Sequence, residues 1–262
     1  MSAPLKILSF STSDIEGGSA RSANRIHSRV RALGHTSRMM VGRKSGTDTD
    51  VEVVHGPSLV AKAADRLADS VTAALALQYE YYPSMRRVLR HPWLAQADIV
   101  QLYNIHGGFL SPRIIPHLSR RAPIVWRLSD QWMLTGHCAY SGVCERWLTG
   151  CGSCPDLRTY PGIPFDTTAM LWRQKRALYE KSDIAFVAPS RWLYDLAGKS
   201  PLLKGKALHL IRNGVDRARF SRTRRSQALA SLNLPPETKL ILFVAHVLDD
   251  NPRKGSALFL KQ

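Results

Sequence analysis

Over residues 5–211, short apolar runs alternate with segments of helical period, and this alternation constrains the fold more than any other feature. The runs at 5–12, 36–41, 51–55, 99–103, 124–128, 184–187 and 207–211 have the length and content of buried strands. A helical pattern begins beyond Gly17-Gly18, with Ala20, Ala23, Ile26, Val30 and Leu33 on one face and Gly34 as stop signal. A second covers residues 58–82, where Leu59, Ala63, Leu67 and Val71 are spaced for one buried face. Shorter helices are expected at 85–89, just after His91-Pro92 and at 111–120, with longer ones at 167–181 and after a Ser190 cap. Strands alternating with helices predict an α/β, Rossmann-like domain on a parallel sheet.

The stretch 124–155 is where this architecture would place chemistry. Its apolar run (Ile124, Val125, Trp126, Leu128) breaks at Ser129-Asp130, so a polar pair sits at the C-terminal end of a strand. The loop that follows carries every cysteine of the chain: Cys138, Cys144, Cys151 and Cys154. The last pair has a spacing that lets two thiolates converge on one metal, while the first pair is wider than a zinc knuckle. A structural zinc and a set of reduced thiols are both open readings, with disulfides or an iron–sulfur cluster behind them. Two further strand ends carry candidate groups. Gly17-Gly18 lies between a strand and a helix, an arrangement that brings backbone N–H groups to an anion, though a plain tight turn accounts for it equally. It is not the GxGxxG dinucleotide fingerprint. His106-Gly107-Gly108 ends the run at 99–103, where the histidine is either a surface residue or part of a crevice.

Charge narrows the partners. Lys and Arg number 37 against 20 acids, a formal +17, so an anionic partner is expected: an anionic membrane surface, nucleic acid or a phosphorylated substrate. The basic residues are mostly Arg and are spread over predicted helices (Arg21, Arg25, Arg29 and Arg31; Arg86, Arg87 and Arg90; Arg222, Arg224 and Arg225), and a solvated basic surface is the plain alternative. No aromatic-interleaved nucleic-acid motif appears, which favours the membrane over nucleic acid. The N-terminal residues lack secretory features and no apolar run could span a bilayer. The expected place is the cytoplasm, peripheral at the inner face of the cell membrane.

A change of unit follows Asp216. Residues 217–237 are polar and Arg-rich with a helix expected at 227–232, and residues 239–247 read as a new buried strand. The loop beyond holds Arg253-Lys254-Gly255. The expected division is a first domain over 1–211, then a linker and the first βα unit of an incomplete second domain over 212–262.

Several segments resemble glycosyltransferase family 4, the retaining sugar transferases of GT-B architecture, over essentially the whole chain. They are KILSFSTSDIEGGSARSANRIH, WRLSDQWMLTGHCAY with the four-cysteine loop behind it, VAPSRWL, IRNGVD and PRKGS. The cysteine block is similar to a subgroup acting in lipopolysaccharide, exopolysaccharide or capsule biosynthesis. The resemblance implies transfer of a sugar from a nucleotide-diphosphate donor to a polysaccharide or lipid-linked acceptor, with no cofactor required for catalysis. It places Ser129 and Asp130 at the reacting centre and Gly17, Gly18, Asn213, Arg253 and Lys254 around the donor. The family usually has His-Asp where this chain has Ser129-Asp130, and its paired C-terminal glutamates are absent. The resemblance therefore implies a chain inactive by itself, which transfer by the purified chain would contradict. The competing reading is a non-catalytic remnant that binds a glycan or membrane surface.

Overall fold

The computed structural model describes residues 3–217, 220–221 and 224–244. The chain divides into two compact units, Met1–Arg212 and Asn213–Gln262.

The first unit opens with β1 (Lys6–Ser13), α1 (Gly18–Ala32), β2 (Thr36–Arg43) and β3 (Val51–Val53). The chain then runs through α2 (Leu59–Ala74), α3 (Met85–Leu89) and α4 (Pro92–Ala95) into β4 (Ile99–Leu102). A 3₁₀ turn at Pro112–Ile114 leads into α5 (Ile115–Ser119) and β5 (Ile124–Arg127), and the cysteine loop follows. The unit closes with α6 (Thr168–Glu180), β6 (Ile184–Ala188), α7 (Arg191–Lys199) and β7 (Ala207–Leu210). These seven strands form one sheet of order β3-β2-β1-β4-β5-β6-β7, and every neighbouring pair is parallel. The expected α/β Rossmann-like fold is therefore present.

The order of strands fixes where a ligand can bind. From β1 the chain moves outward to β2 and β3, then returns to lay β4 on the other side of β1 and moves outward again. The direction reverses between β1 and β4, so the connections leaving their C-terminal ends run to opposite sides, the usual ligand site of an open parallel sheet.

One row of side chains crosses the sheet below that site. Register pairs Met40 with Phe10, Phe10 with Leu102, Leu102 with Trp126, and Trp126 with Phe186, and all five are fully buried. Trp126 stacks on Phe186 at 5.8 Å, meets Tyr179 of α6 edge-on at 5.5 Å, and its indole N–H donates to the Tyr103 carbonyl at 3.1 Å. The indole thus satisfies its one polar group while the ring fills the core.

Helix starts follow local chemistry. Ser190 caps α7 by accepting the Leu193 N–H at 3.2 Å, relieving one of the donors that a helix start leaves unpaired. Ser190→Ala is expected to lower unfolding free energy by about 1 kcal/mol in a denaturant titration, with the slope unchanged.

Three expectations are corrected. The helix expected over 58–82 ends at Ala74, and its buried face is not the apolar one. Asp65 and Thr72 are buried, whereas Leu59, Leu67 and Val71 face solvent. Asp65 accepts the Ser84 N–H at 3.0 Å and Asp69 accepts the Tyr82 hydroxyl, so hydrogen bonds to the following segment orient the helix. On α1, Leu33 is likewise exposed and His27 is buried instead, held by Ser37 at 2.8 Å and Asp48 at 3.3 Å. Finally, residues 239–244 form no strand: Leu240, Ile241, Leu242 and Val244 are exposed and pair with no described strand. The rest of that expected strand, 245–247, lies outside the described residues. The described part of the second unit contains α8 (Arg225–Ser231), with Leu229 buried.

Candidate active site at the strand ends

Thr12, near the end of β1, shapes this site. Its hydroxyl reaches the carbonyls of Asn104 (2.9 Å) and His106 (3.3 Å), tying the loop after β4 to β1. Gly107, at φ +126, then lets this loop turn back where its missing Cβ would lie 3.0 Å from the Thr12 methyl. The anchoring places Asn104 and His106 beside Asp130, which follows β5.

Asp130 is the hub. Its Oδ2 accepts from His106 Nε2 at 2.7 Å and from Asn104 Nδ2 at 3.1 Å, and its Oδ1 accepts the Trp132 backbone N–H at 3.0 Å. His106 is 4% exposed and lies against Trp132 (5.4 Å between centroids) and Tyr160 (5.8 Å). Its Nδ1 is buried without a partner. A bare lone pair there costs less than an unsatisfied N–H, so the ring proton belongs on Nε2, facing the carboxylate. Carboxylate and oriented imidazole form a hydrogen-bonded pair with its tautomer set.

Ser129 points the other way. Its hydroxyl lies 3.0 Å from that of Ser19, in the first turn of α1. This contact brings the predicted glycine turn to the same place: Gly17 (φ +86) precedes α1 with no side-chain cap, and the first turn has no acidic residue. Open space surrounds the Cβ positions of Gly17 and Gly18. An uncapped helix start of this kind presents donors and positive potential to an anion. The structure thus groups Gly17, Gly18, Ser129 and Asp130 and adds His106 and Asn104. Asn213 opens the second unit, and Arg253 and Lys254 lie outside the described residues.

Behind the hub, α6 grips the following loop. Lys175 is fully buried and donates to the carbonyls of Trp132 (2.6 Å), Thr135 (2.9 Å) and Gly136 (3.3 Å), with its ammonium 3.6 Å from the Trp132 ring centroid. Burial pushes its pKa down to about 7. Tyr179 donates to the Met133 carbonyl at 3.1 Å. Sequence reasoning missed Lys175. The signal was a lysine in the same helical stripe as Leu171, Trp172 and Tyr179, all buried.

The four cysteines form no disulfide and line one cavity together with His137. His137 Nε2 lies 3.3 Å from Cys154 Sγ, and Cys151 Sγ accepts the Gly136 N–H at 3.1 Å. Burial raises the pKa of Cys138, Cys151 and Cys154, which favours neutral thiols over thiolates. Among the described residues no group of three or more His, Cys, Asp or Glu is arranged to hold a metal ion. Nor, among those residues, is any helix long and apolar enough to cross a membrane.

No protein-family model matches the chain. Over 227 residues it is 27% identical to an Escherichia coli (strain K12) protein named "Putative colanic acid biosynthesis glycosyl transferase WcaC". The match covers 82% of this chain and 55% of that relative, so the chain spans about half the length of the protein it matches.

Proposed function

We propose that this chain serves sugar transfer from a nucleotide-diphosphate donor to a polysaccharide or lipid-linked acceptor, as a retaining glycosyltransferase of family 4 and GT-B type. The observation that carries the reading is the convergence on Asp130 of His106 and Asn104, at the switch point of the sheet and beside the uncapped start of α1. The similarity to a relative named as a glycosyl transferase supports it.

In this reading the acceptor hydroxyl is held at Asp130, whose carboxylate orients it and takes up its proton, while His106 positions that carboxylate and the donor diphosphate faces the start of α1. Positive potential at that helix start favours the charge that builds on the leaving diphosphate. The imidazole that the usual His-Asp pair would supply comes instead from His106, on the loop of the neighbouring strand. Asn213, Arg253 and Lys254 are proposed as donor-binding residues, with residues 1–211 as the acceptor domain and 212–262 assigned to the donor side.

Incubation with labelled nucleotide sugars and glycan acceptors tests the proposal. Transfer that is lost in Asp130→Asn supports catalysis by this chain. Saturable acceptor binding without transfer supports the binding role, and absence of both contradicts the site. The cysteine loop is proposed as scaffold behind the acceptor side. Zinc would require its thiols as thiolates. Metal analysis of protein purified without added zinc tests the cofactor: one zinc per chain establishes a structural site, and none rules it out.

A further inference from the structure

The hydrogen bonds that orient α2 leave an apolar stripe turned outward. Leu59 and Val60 are each 80% exposed, Leu67 68% and Val71 50%, and Leu75 just beyond the helix 52%. At 100° per residue, Leu59, Val60, Ala63, Leu67 and Val71 fall within about a third of the helix circumference. Each such side chain left in water forgoes about 1.5–3 kcal/mol of burial, so a continuous stripe of them marks a contact surface rather than scatter.

Charge around the stripe identifies the contact. Lys62 and Arg66 run along one edge of it, and α3, attached through the Ser84–Asp65 and Tyr82–Asp69 bonds, adds exposed Arg86 and Arg90. The two acids of α2, Asp65 and Asp69, are committed to those inward bonds. Exposed apolar side chains edged by cations are the pattern of a helix lying in the plane of an anionic lipid surface. A cavity of about 160 Å³ is lined by Lys62, Arg66 and His55 together with Asp65, Asp69 and Gly108. Gly108 is two residues beyond His106, so the headgroup side of the helix adjoins the candidate active site.

We propose that the outward face of α2 is a membrane-docking surface, seated on an anionic bilayer with Leu67 and Val71 inserted and Lys62, Arg66, Arg86 and Arg90 among the headgroups. This deepens the sugar-transfer reading by placing the site at the surface where a lipid-linked acceptor would lie, while its test reads lipid binding alone.

The test is flotation of the purified chain with vesicles of phosphatidylcholine alone or with 30% phosphatidylglycerol (a composition of roughly physiological anionic content). The expected result is binding to the mixed vesicles only. Leu67→Gln with Val71→Gln keeps charge and helix propensity, and is expected to weaken binding at least tenfold with unchanged circular dichroism. Lys62→Gln with Arg66→Gln is expected to weaken it several-fold and lessen its salt dependence. The proposal is overturned if the chain stays with the soluble fraction, binds neutral vesicles as well, or binds equally after the Leu67 and Val71 changes. It is also overturned if, without lipid, the chain is a dimer that those changes dissociate, since the stripe would then be a self-association face.

Discussion

Between pH 7 and pH 9 the unfolding free energy of the metal-free chain is expected to rise by about 2–3 kcal/mol, and Lys175→Met is expected to abolish the rise. The sign follows from Lys175, whose folded pKa is depressed to about 7 from an ordinary value near 10.5. Below pH 7 both states hold the proton and the full cost of burying the ammonium bears on the fold. As pH rises from 7 the folded state releases its proton while the unfolded chain keeps one, so stability grows at about 1.4 kcal/mol per pH unit. The window closes near pH 9, where the unfolded thiols ionise. Cys151, raised to about 11, and Cys138 and Cys154, also raised, then contribute stability that is lost as pH climbs. Denaturant titrations at half-unit intervals in the presence of chelator check this. A flat curve in the unaltered chain would mean that the Lys175 ammonium stays charged in its cage of carbonyls.

Asp130→Asn is expected to weaken acceptor binding by about ten- to a hundredfold, the effect of losing one or two hydrogen bonds to a charged group. The carboxylate accepts from three donors, which an amide cannot do, because its NH₂ would face one of them. Long-range nitrogen–proton NMR of the imidazole should show the Nε2–H tautomer in the unaltered chain, with its N–H signal shifted in Asp130→Asn. A merely structural Asp130 would lower stability without moving that signal and the affinity together.

Strands such as β5 and β6 were legible because they are nearly continuous apolar runs, as strands in the middle of a parallel sheet must be. Short elements such as α3 coincide with their expected residues, since Pro83 and His91-Pro92 punctuate them. The failure at α2 has a definite cause. Periodicity reports that a helix has an apolar face, not that the face points inward, and there two aspartates bonded to Tyr82 and the Ser84 N–H decide the orientation. The site divides the same way. Ser129-Asp130 and Gly17-Gly18 could be read from strand ends, but the pairing of His106 with Asp130 spans 24 residues and depends on β4 lying next to β5. Lys175 was hidden because its partners are backbone carbonyls, which leave no trace in residue identity.

Titration of isotope-labelled chain with a panel of mono- and oligosaccharides, followed by backbone and imidazole NMR, tests the central claim most directly. Saturable shifts centred on Asn104, His106, Ser129 and Asp130, and lost in Asp130→Asn, are the predicted result. Saturable binding that leaves those four residues unmoved would contradict the placement of the acceptor at the β1–β4 switch point.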